Sequence, residues 1–184
     1  MIFDSTTRTR LLFLYPKLAE DVQWVMTRMH EETGLEMRIT ESLRTFAQQR
    51  HYYAQGRTRD GKIVTRARAG WSLHHYGLAA DLAFHGADPY MLRGPVAYWE
   101  LFGKISSGRA LRWGGSFSFA DKPHIEARYP IPLERVVAEY GAGGTPGVWA
   151  TIDEVLGIPV GSRWHNIGAT ARPMSPGTLT EEEK

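Results

Sequence analysis

Between residues 18 and 33, apolar side chains return at Leu18, Val22, Val25 and Met29, with Glu20, Asp21, Arg28 and Glu32 between them. That spacing lays one apolar stripe along a helix and predicts an amphipathic α-helix over 18–33, with Gly34 placed to end it. The period then shortens, and Met37-Arg38-Ile39-Thr40 alternates as a half-buried strand does. Thr45 and Gln48 have the spacing of a capping box, which predicts a second helix from Phe46 to Gln55, closed by Gly56. Residues 56–71 are rich in Gly and Arg without periodicity and read as a long exposed loop. Segments 78–84 and 112–119 read as strands, with a helix over 95–102 between them. A helix over 132–140 opens on proline and stops before Gly141, a glycine-rich break fills 141–147, and Thr151 with Glu154 has the cap spacing of a short helix ending at Gly157. From Ile158 onward, Pro, Gly and Ser dominate and predict a poorly ordered tail. These elements predict an α+β fold with helices packed on a small, mostly antiparallel sheet. Residues 1–144 are expected to form one domain, and 145–184 a short helix followed by a flexible tail.

A chain of 184 residues supports one core rather than two. The absence of cysteine removes disulfides, thiolate metal sites and thiol nucleophiles together, so chemistry has to use oxygen and nitrogen groups. The net charge of +2 conceals an asymmetry: residues 1–130 carry 18 basic and 13 acidic side chains, while residues 131–184 carry 4 and 7. Within 38–68, eight basic residues face only Glu41 and Asp60. A solvated loop accounts for this, and so does a surface that attracts an anionic polymer or envelope. A nucleic-acid module would interleave aromatic residues with such a loop, and this one does not. The apolar run from Leu11 to Tyr15 is too short for a secretory signal, and no stretch approaches the roughly 20 residues that span a bilayer. A protein without an export address and without membrane insertion is expected.

The chemistry concentrates in Ser72-Leu73-His74-His75-Tyr76-Gly77-Leu78-Ala79-Ala80-Asp81. An acid inside an apolar strand is costly to bury unless a cation compensates it. Ala79, Asp81 and Ala83 share one strand face and leave room for a bulky partner, so a metal held by Asp81 and one of the two histidines would satisfy it. Strand alternation puts Ser72 and His74 on one face and His75 on the other. Downstream, Trp113-Gly114-Gly115 and Asp121-Lys122-Pro123-His124-Ile125-Glu126 supply the remainder. His124 completes two imidazoles and one carboxylate, the ligand number of a catalytic zinc with its fourth position open, and leaves Asp121 free as a base. Pro123 makes this segment a bend entering a strand. Glu126 reads equally as an acceptor behind a ligand or as a solvated strand residue, and Ser72 as a hydrogen-bonding residue near the site. Gly114 and Gly115 allow either close backbone approach or a bulge. His30, His51, His85 and His165 read as ordinary structural residues, and Tyr52, Tyr53, Tyr76 and Trp71 as core before cleft.

The order S-x-H-x-x-G-x-A-x-D, then W-G-G and D-x-P-H, resembles the M15 zinc peptidases of the D-alanyl-D-alanine carboxypeptidase and dipeptidase superfamily. The likeness is greatest to phage endolysins that cut between L-alanine and D-glutamate of peptidoglycan stem peptides. It covers about residues 20–130 and implies the fold that this superfamily shares with hedgehog domains. It implies Zn2+ on His74, Asp81 and His124, with Asp121 as catalytic base. Thr40-Glu41-Ser42-Leu43-Arg44-Thr45 with Gln48 resembles the family's S-x-R-[ST]-x-x-x-Q segment, which implies that Arg44 stabilises the substrate carbonyl. The implied setting is a monomer made in a host cytoplasm that reaches the wall by holin-assisted release, with a peptidoglycan stem peptide as partner. A D-alanyl-D-alanine carboxypeptidase and a non-catalytic zinc-binding domain stand as alternatives.

Overall fold

The computed structural model describes residues 3–91, 96–127 and 129–160. Among these, four strands form one antiparallel sheet: β1 (Met37–Glu41), β2 (Ala79–Phe84), β3 (Leu111–Trp113) and β4 (His124–Ala127), in the spatial order β1-β2-β4-β3. The helices are α1 (Ser5–Leu11), α2 (Pro16–Thr33), α3 (Phe46–Ala54), α4 (Ala97–Ser107) and α5 (Leu133–Val155). The α+β expectation holds. No helix among the described residues is long and apolar enough to cross a membrane.

Alternation along β2 divides the molecule into two sides. Ala80, Leu82 and Phe84 join Ile39 of β1 and Ile125 of β4 in a core closed by Leu18, Val22 and Val25 of α2 and by Trp99 and Phe102 of α4. The opposite face carries Ala79, Asp81 and Ala83; both alanines are fully buried, and Asp81 is the one of the three that lines the cleft. The apolar stripe read in the sequence therefore does what it predicts, and α2 begins two residues earlier because Pro16 is tolerated in the first turn. Gly34 and the Thr45–Gln48 capping box end α2 and start α3 as expected.

The sequence reading missed α1, although its start is signalled by Asp4, whose side chain accepts from the Thr7 backbone N–H at 2.6 Å. This helix covers the outer edge of β1: Thr7 Oγ1 accepts from the Ile39 N–H at 3.2 Å, and Arg10 donates to the Ile39 carbonyl at 2.6 Å. Otherwise that edge would be open to strand pairing.

Several expectations need correction. The strand expected over 112–119 stops at Trp113, where Gly114–Ser116 turn into a short 3-10 helix. Ser72 to His75 is not a strand either, because Leu73–Tyr76 form one 3-10 turn that ends at Gly77. The helix expected over 95–102 runs from Ala97 to Ser107. The break at 141–147 is confined to a kink at Gly144, and helix resumes at once, with Pro146 accommodated near the restart. Thr151 is therefore a buried mid-helix residue and not a cap. This last stretch joins the main core through Val148, Trp149 and Ile152, and Trp149 Nε1 donates to the Tyr76 carbonyl at 2.8 Å. Of the expected tail, residues 161–184 lie outside the described residues.

Gly77 links the histidine turn to β2 at φ +67°, and its carbonyl accepts from the Tyr15 N–H at 2.8 Å. A Cβ there would lie 2.5 Å from the Phe13 carbonyl oxygen. Gly77→Ala is expected to cost about 2 kcal/mol or more, read as a lowered denaturant midpoint at constant slope. An unchanged midpoint would contradict this close approach.

Candidate metal centre

Strand register assembles the site. The pairing Glu41↔Asp81 between β1 and β2, and Asp81↔His124 between β2 and β4, sets three functional residues in one row across the sheet. The adjacent row is Ala79↔Glu126 and Arg112↔Glu126. Directly opposed side chains on one face lie within reach of each other, so residues about 40 positions apart in sequence become neighbours. His74 joins them from the 3-10 turn before Gly77. His74 Nε2 lies 3.3 Å from Asp81 Oδ1 and 3.2 Å from His124 Nδ1, and His124 Nδ1 lies 2.9 Å from Asp81 Oδ1.

Each ligand is held from behind. His74 Nδ1 donates to the Ser42 carbonyl at 2.8 Å, which leaves Nε2 with its lone pair toward the triangle. His124 Nε2 faces Glu126 Oε2 at 3.1 Å, which leaves Nδ1 toward it. Asp81 offers Oδ1, while its Oδ2 accepts from Arg44 Nη2 at 3.5 Å. Arg44 is itself buried and donates to both oxygens of Glu41 and to Gln49 Oε1 at 2.8 Å.

The charged groups of this pocket are strongly coupled. Burial alone would raise the Asp81 carboxyl, but His74 and His124 hold it well below the usual carboxylate range. Burial opposes charge on His124, yet hydrogen bonds to Asp81 and Glu126 push it up to about 10. Glu126 is likewise lowered against burial, by His124 and Arg112. Two imidazole nitrogens and a carboxylate oxygen near 3 Å from one another need a shared positive charge, either protons or a metal. Donors at roughly 2.0–2.1 Å from one tetrahedral ion lie roughly 3.3–3.4 Å apart. The observed triangle is close to that size, and the residues fit a divalent metal in both geometry and donor chemistry.

Asp121 stands beside the triangle. Its carboxyl is raised by burial and by the negative charge of Asp81, against the pull of His124, His74 and Arg44. Its loop is drawn in at Gly114, whose carbonyl accepts from the Asp121 N–H at 2.9 Å and where a Cβ would meet the Asp121 carbonyl at 2.4 Å. Close approach, rather than a bulge, accounts for this glycine. The site opens where two depressions of about 910 and about 660 Å³ meet, and Glu41, Tyr52, Asp81 and Asp121 line both.

His74, Asp81, Asp121, His124, Arg44, Glu126 and Ser72 all reach the larger depression. Gln48, read with Ser72 and Glu126 as a residue that supports the site or meets substrate, lines the smaller depression together with Asp81 and Asp121. Its side chain caps α3, accepting from the Thr45 N–H at 2.8 Å, and the buried Gln49 next to it holds Arg44. Gln49 and Glu41 are the site residues that sequence reasoning missed. His75 lies under Phe46 with Nδ1 on the Arg44 carbonyl at 2.8 Å, away from the triangle. His51 contacts Arg59 and His85 contacts Asp4, while His165 lies outside the described residues. Trp71 and Tyr52 line the cleft, whereas Tyr76 is core.

A His, Asp, His triangle beside a further carboxylate in an open cleft is an arrangement of the metallohydrolase class. Residues 65–127, which hold the triangle and Asp121 but not Glu41, Arg44 or Gln49, match the family described as D-alanyl-D-alanine carboxypeptidase. The chain is 37% identical over 102 residues to the peptidoglycan L-alanyl-D-glutamate endopeptidase CwlK of Bacillus subtilis (strain 168), a match covering 50% of this chain and 61% of that relative's length. Its fold resembles the crystal structure of the Serratia marcescens L-Ala D-Glu endopeptidase ChiX, with a TM-score of 0.50 at 18% identity, covering 69% of this chain and 90% of that one. Over the segment that carries the triangle and Asp121, the chain is therefore similar to peptidases of this family, and it spans about three fifths of the length of the Bacillus relative.

Glu126→Gln keeps the shape and removes the charge behind His124. It is expected to weaken Zn2+ binding about tenfold, measured by competition with a chromogenic chelator, and unchanged affinity would remove Glu126 from the site's support.

Proposed function

We propose that this protein is a zinc-dependent peptidase that hydrolyses the L-alanyl-D-glutamate bond of peptidoglycan stem peptides. The observation that carries the reading is the triangle of His74, Asp81 and His124 with the Asp121 carboxyl beside it in an open cleft. The names of the two relatives support the bond. So does a site lined from two depressions that meet at Asp81 and Asp121, since an endopeptidase needs room on both sides of the bond it cuts.

His74, Asp81 and His124 hold the metal. When bound, zinc supplies Lewis-acid chemistry that acidifies water and polarises an amide carbonyl. Asp121 accepts the proton of the attacking water and returns it to the leaving amine. Partial desolvation and the negative charge of Asp81 raise its proton affinity, the direction that a base returning its proton requires. Of the five N–H groups of Arg44, one on Nη1 is not engaged among the described residues, and it serves the carbonyl oxygen as negative charge develops there. Glu41 and Gln49 fix the plane of that guanidinium.

The second reading, a D-alanyl-D-alanine carboxypeptidase, rests on the description of the family matched by residues 65–127. The proposed setting is cell-wall lysis by a phage enzyme that acts as a monomer, is made in the host cytoplasm and is released through a holin. The excess of basic side chains over 38–68 supports an anionic envelope as target.

Purified sacculi digested by the zinc-loaded protein should yield stem peptides with new amino-terminal D-glutamate, identified by mass spectrometry. Release of free D-alanine alone would favour the second reading. Asp121→Asn is expected to retain zinc and fold while losing at least about a hundredfold in rate. Full turnover by that variant would overturn its role as base.

A further inference from the structure

Among the described residues, the cations along the cleft are matched by carboxylates with the exception of Arg66. Arg44 is matched by Glu41 and Asp81, and Arg112 by Glu126 at 3.2 Å. Arg66 also lines this wall, yet no carboxylate among the described residues pairs with it. Its guanidinium instead lies over the Phe119 ring, 5.2 Å from the centroid. That contact joins the two walls of the cleft, since Arg66 comes from the loop after α3 and Phe119 from the segment after β3.

The loop does not leave Arg66 to wander. Gln49, buried in α3, donates to the Ala67 carbonyl at 2.7 Å and to Thr65 Oγ1 at 3.3 Å, which fixes the residues on either side. Arg57 holds the Thr65 carbonyl at 3.1 Å, and Ala69 packs on Phe46. Gln49 is also the residue that grips Arg44, so one side chain sets the spacing between the loop and the reaction centre. On the other wall, Phe119 is two residues from Asp121, at most about 7 Å of backbone. A cation without a carboxylate, stacked on an aromatic ring and pinned near the base, is suited to an anionic group on the substrate.

Substrate chemistry says which group. When a stem peptide continues from the glutamyl side-chain carboxyl, the glutamate keeps a free α-carboxylate on the carbon bonded to the leaving nitrogen. A D-alanyl-D-alanine terminus presents the same group in the same place. We propose that Arg66 is the specificity residue of this cleft and takes the free α-carboxylate on the residue that supplies the leaving amine. The inference rests on the peptidase reading above and extends it to one recognised group.

The test uses the zinc-loaded protein and two pairs of synthetic peptides. One pair carries the L-alanyl-D-glutamate bond with the glutamate α-carboxyl free or as its amide. The other carries a D-alanyl-D-alanine terminus, free or amidated. In the pair that is cut, kcat/KM should be about tenfold higher for the free acid, and that pair assigns the source of the carboxylate. Arg66→Gln should remove the preference by lowering the rate on the acid about tenfold while leaving the amide within about twofold, and Arg66→Lys should restore part of it. On the non-turning-over Asp121→Asn background, calorimetry should show the same loss of affinity for the acid alone. Equal rates on acid and amide by the unaltered protein, or an equal fall on both in Arg66→Gln, would overturn the role of Arg66 and leave the peptidase reading standing. Cleavage of neither pair by the unaltered protein would overturn that reading and this one with it.

Discussion

The Asp81 carboxylate lies within the sheet, opposite Glu41 on one side and His124 on the other, with its side chain only 18% exposed. A lone ionised carboxylate in such a place would be neutralised or would unfold the strand. Here both oxygens are committed in different directions, Oδ1 to the two histidines and Oδ2 to Arg44. Much of the surrounding structure can be understood as the means of delivering those partners. The β2–β4 register brings His124, the 3-10 turn ending at Gly77 brings His74, and the loop before α3 brings Arg44.

The sheet separates stability from chemistry by alternation alone. Leu82 and Ile125 sit in the core with α2 and α4, while their neighbours Asp81 and His124 face the cleft. A slip of one residue in either strand would exchange these sets, so the large apolar core specifies the register on which the polar site depends. The residues 145–155 contribute at a distance: Trp149 bonds the Tyr76 carbonyl and packs on Tyr15, which steadies the turn carrying His74. Gln49 plays the corresponding part on the other wall, tying Arg44 to the loop that carries Arg66.

Much of this was legible in the sequence, for reasons that can be named. The α2 stripe and the Thr45–Gln48 cap are local signals whose physics is complete within a few residues. An acid in an apolar strand announced Asp81, and the D-x-P-H spacing announced Asp121 and His124. What escaped was set by tertiary contact. The Ser72–His75 segment alternates as a strand would, yet Gly77 lets it close as a 3-10 turn that buries both histidines on different partners. Gln48 and Gln49 are indistinguishable by composition, and only the facing of α3 separates a cap from a clamp. Glu41 carries no signal of its own in the sequence, and its role follows from the way Arg44 folds back onto it. The short α1 carried a capping aspartate, but its role in covering the β1 edge depends on a strand that lies about 30 residues away in sequence.

The M15 match covers the triangle and the base but stops short of Arg44, Glu41 and Gln49, which come from the preceding third of the chain. That earlier segment supplies the guanidinium on Asp81 Oδ2 and the two side chains, Glu41 and Gln49, that hold it. The proposed chemistry requires this buried cluster to hold a metal. X-ray absorption spectroscopy of the protein reconstituted with one equivalent of Zn2+ tests it most directly. The expected spectrum has low-coordinate nitrogen and oxygen ligation with the outer-shell scattering of two imidazoles. Loss of the metal on dialysis, or a shell of oxygen ligands without imidazole scattering, would contradict it.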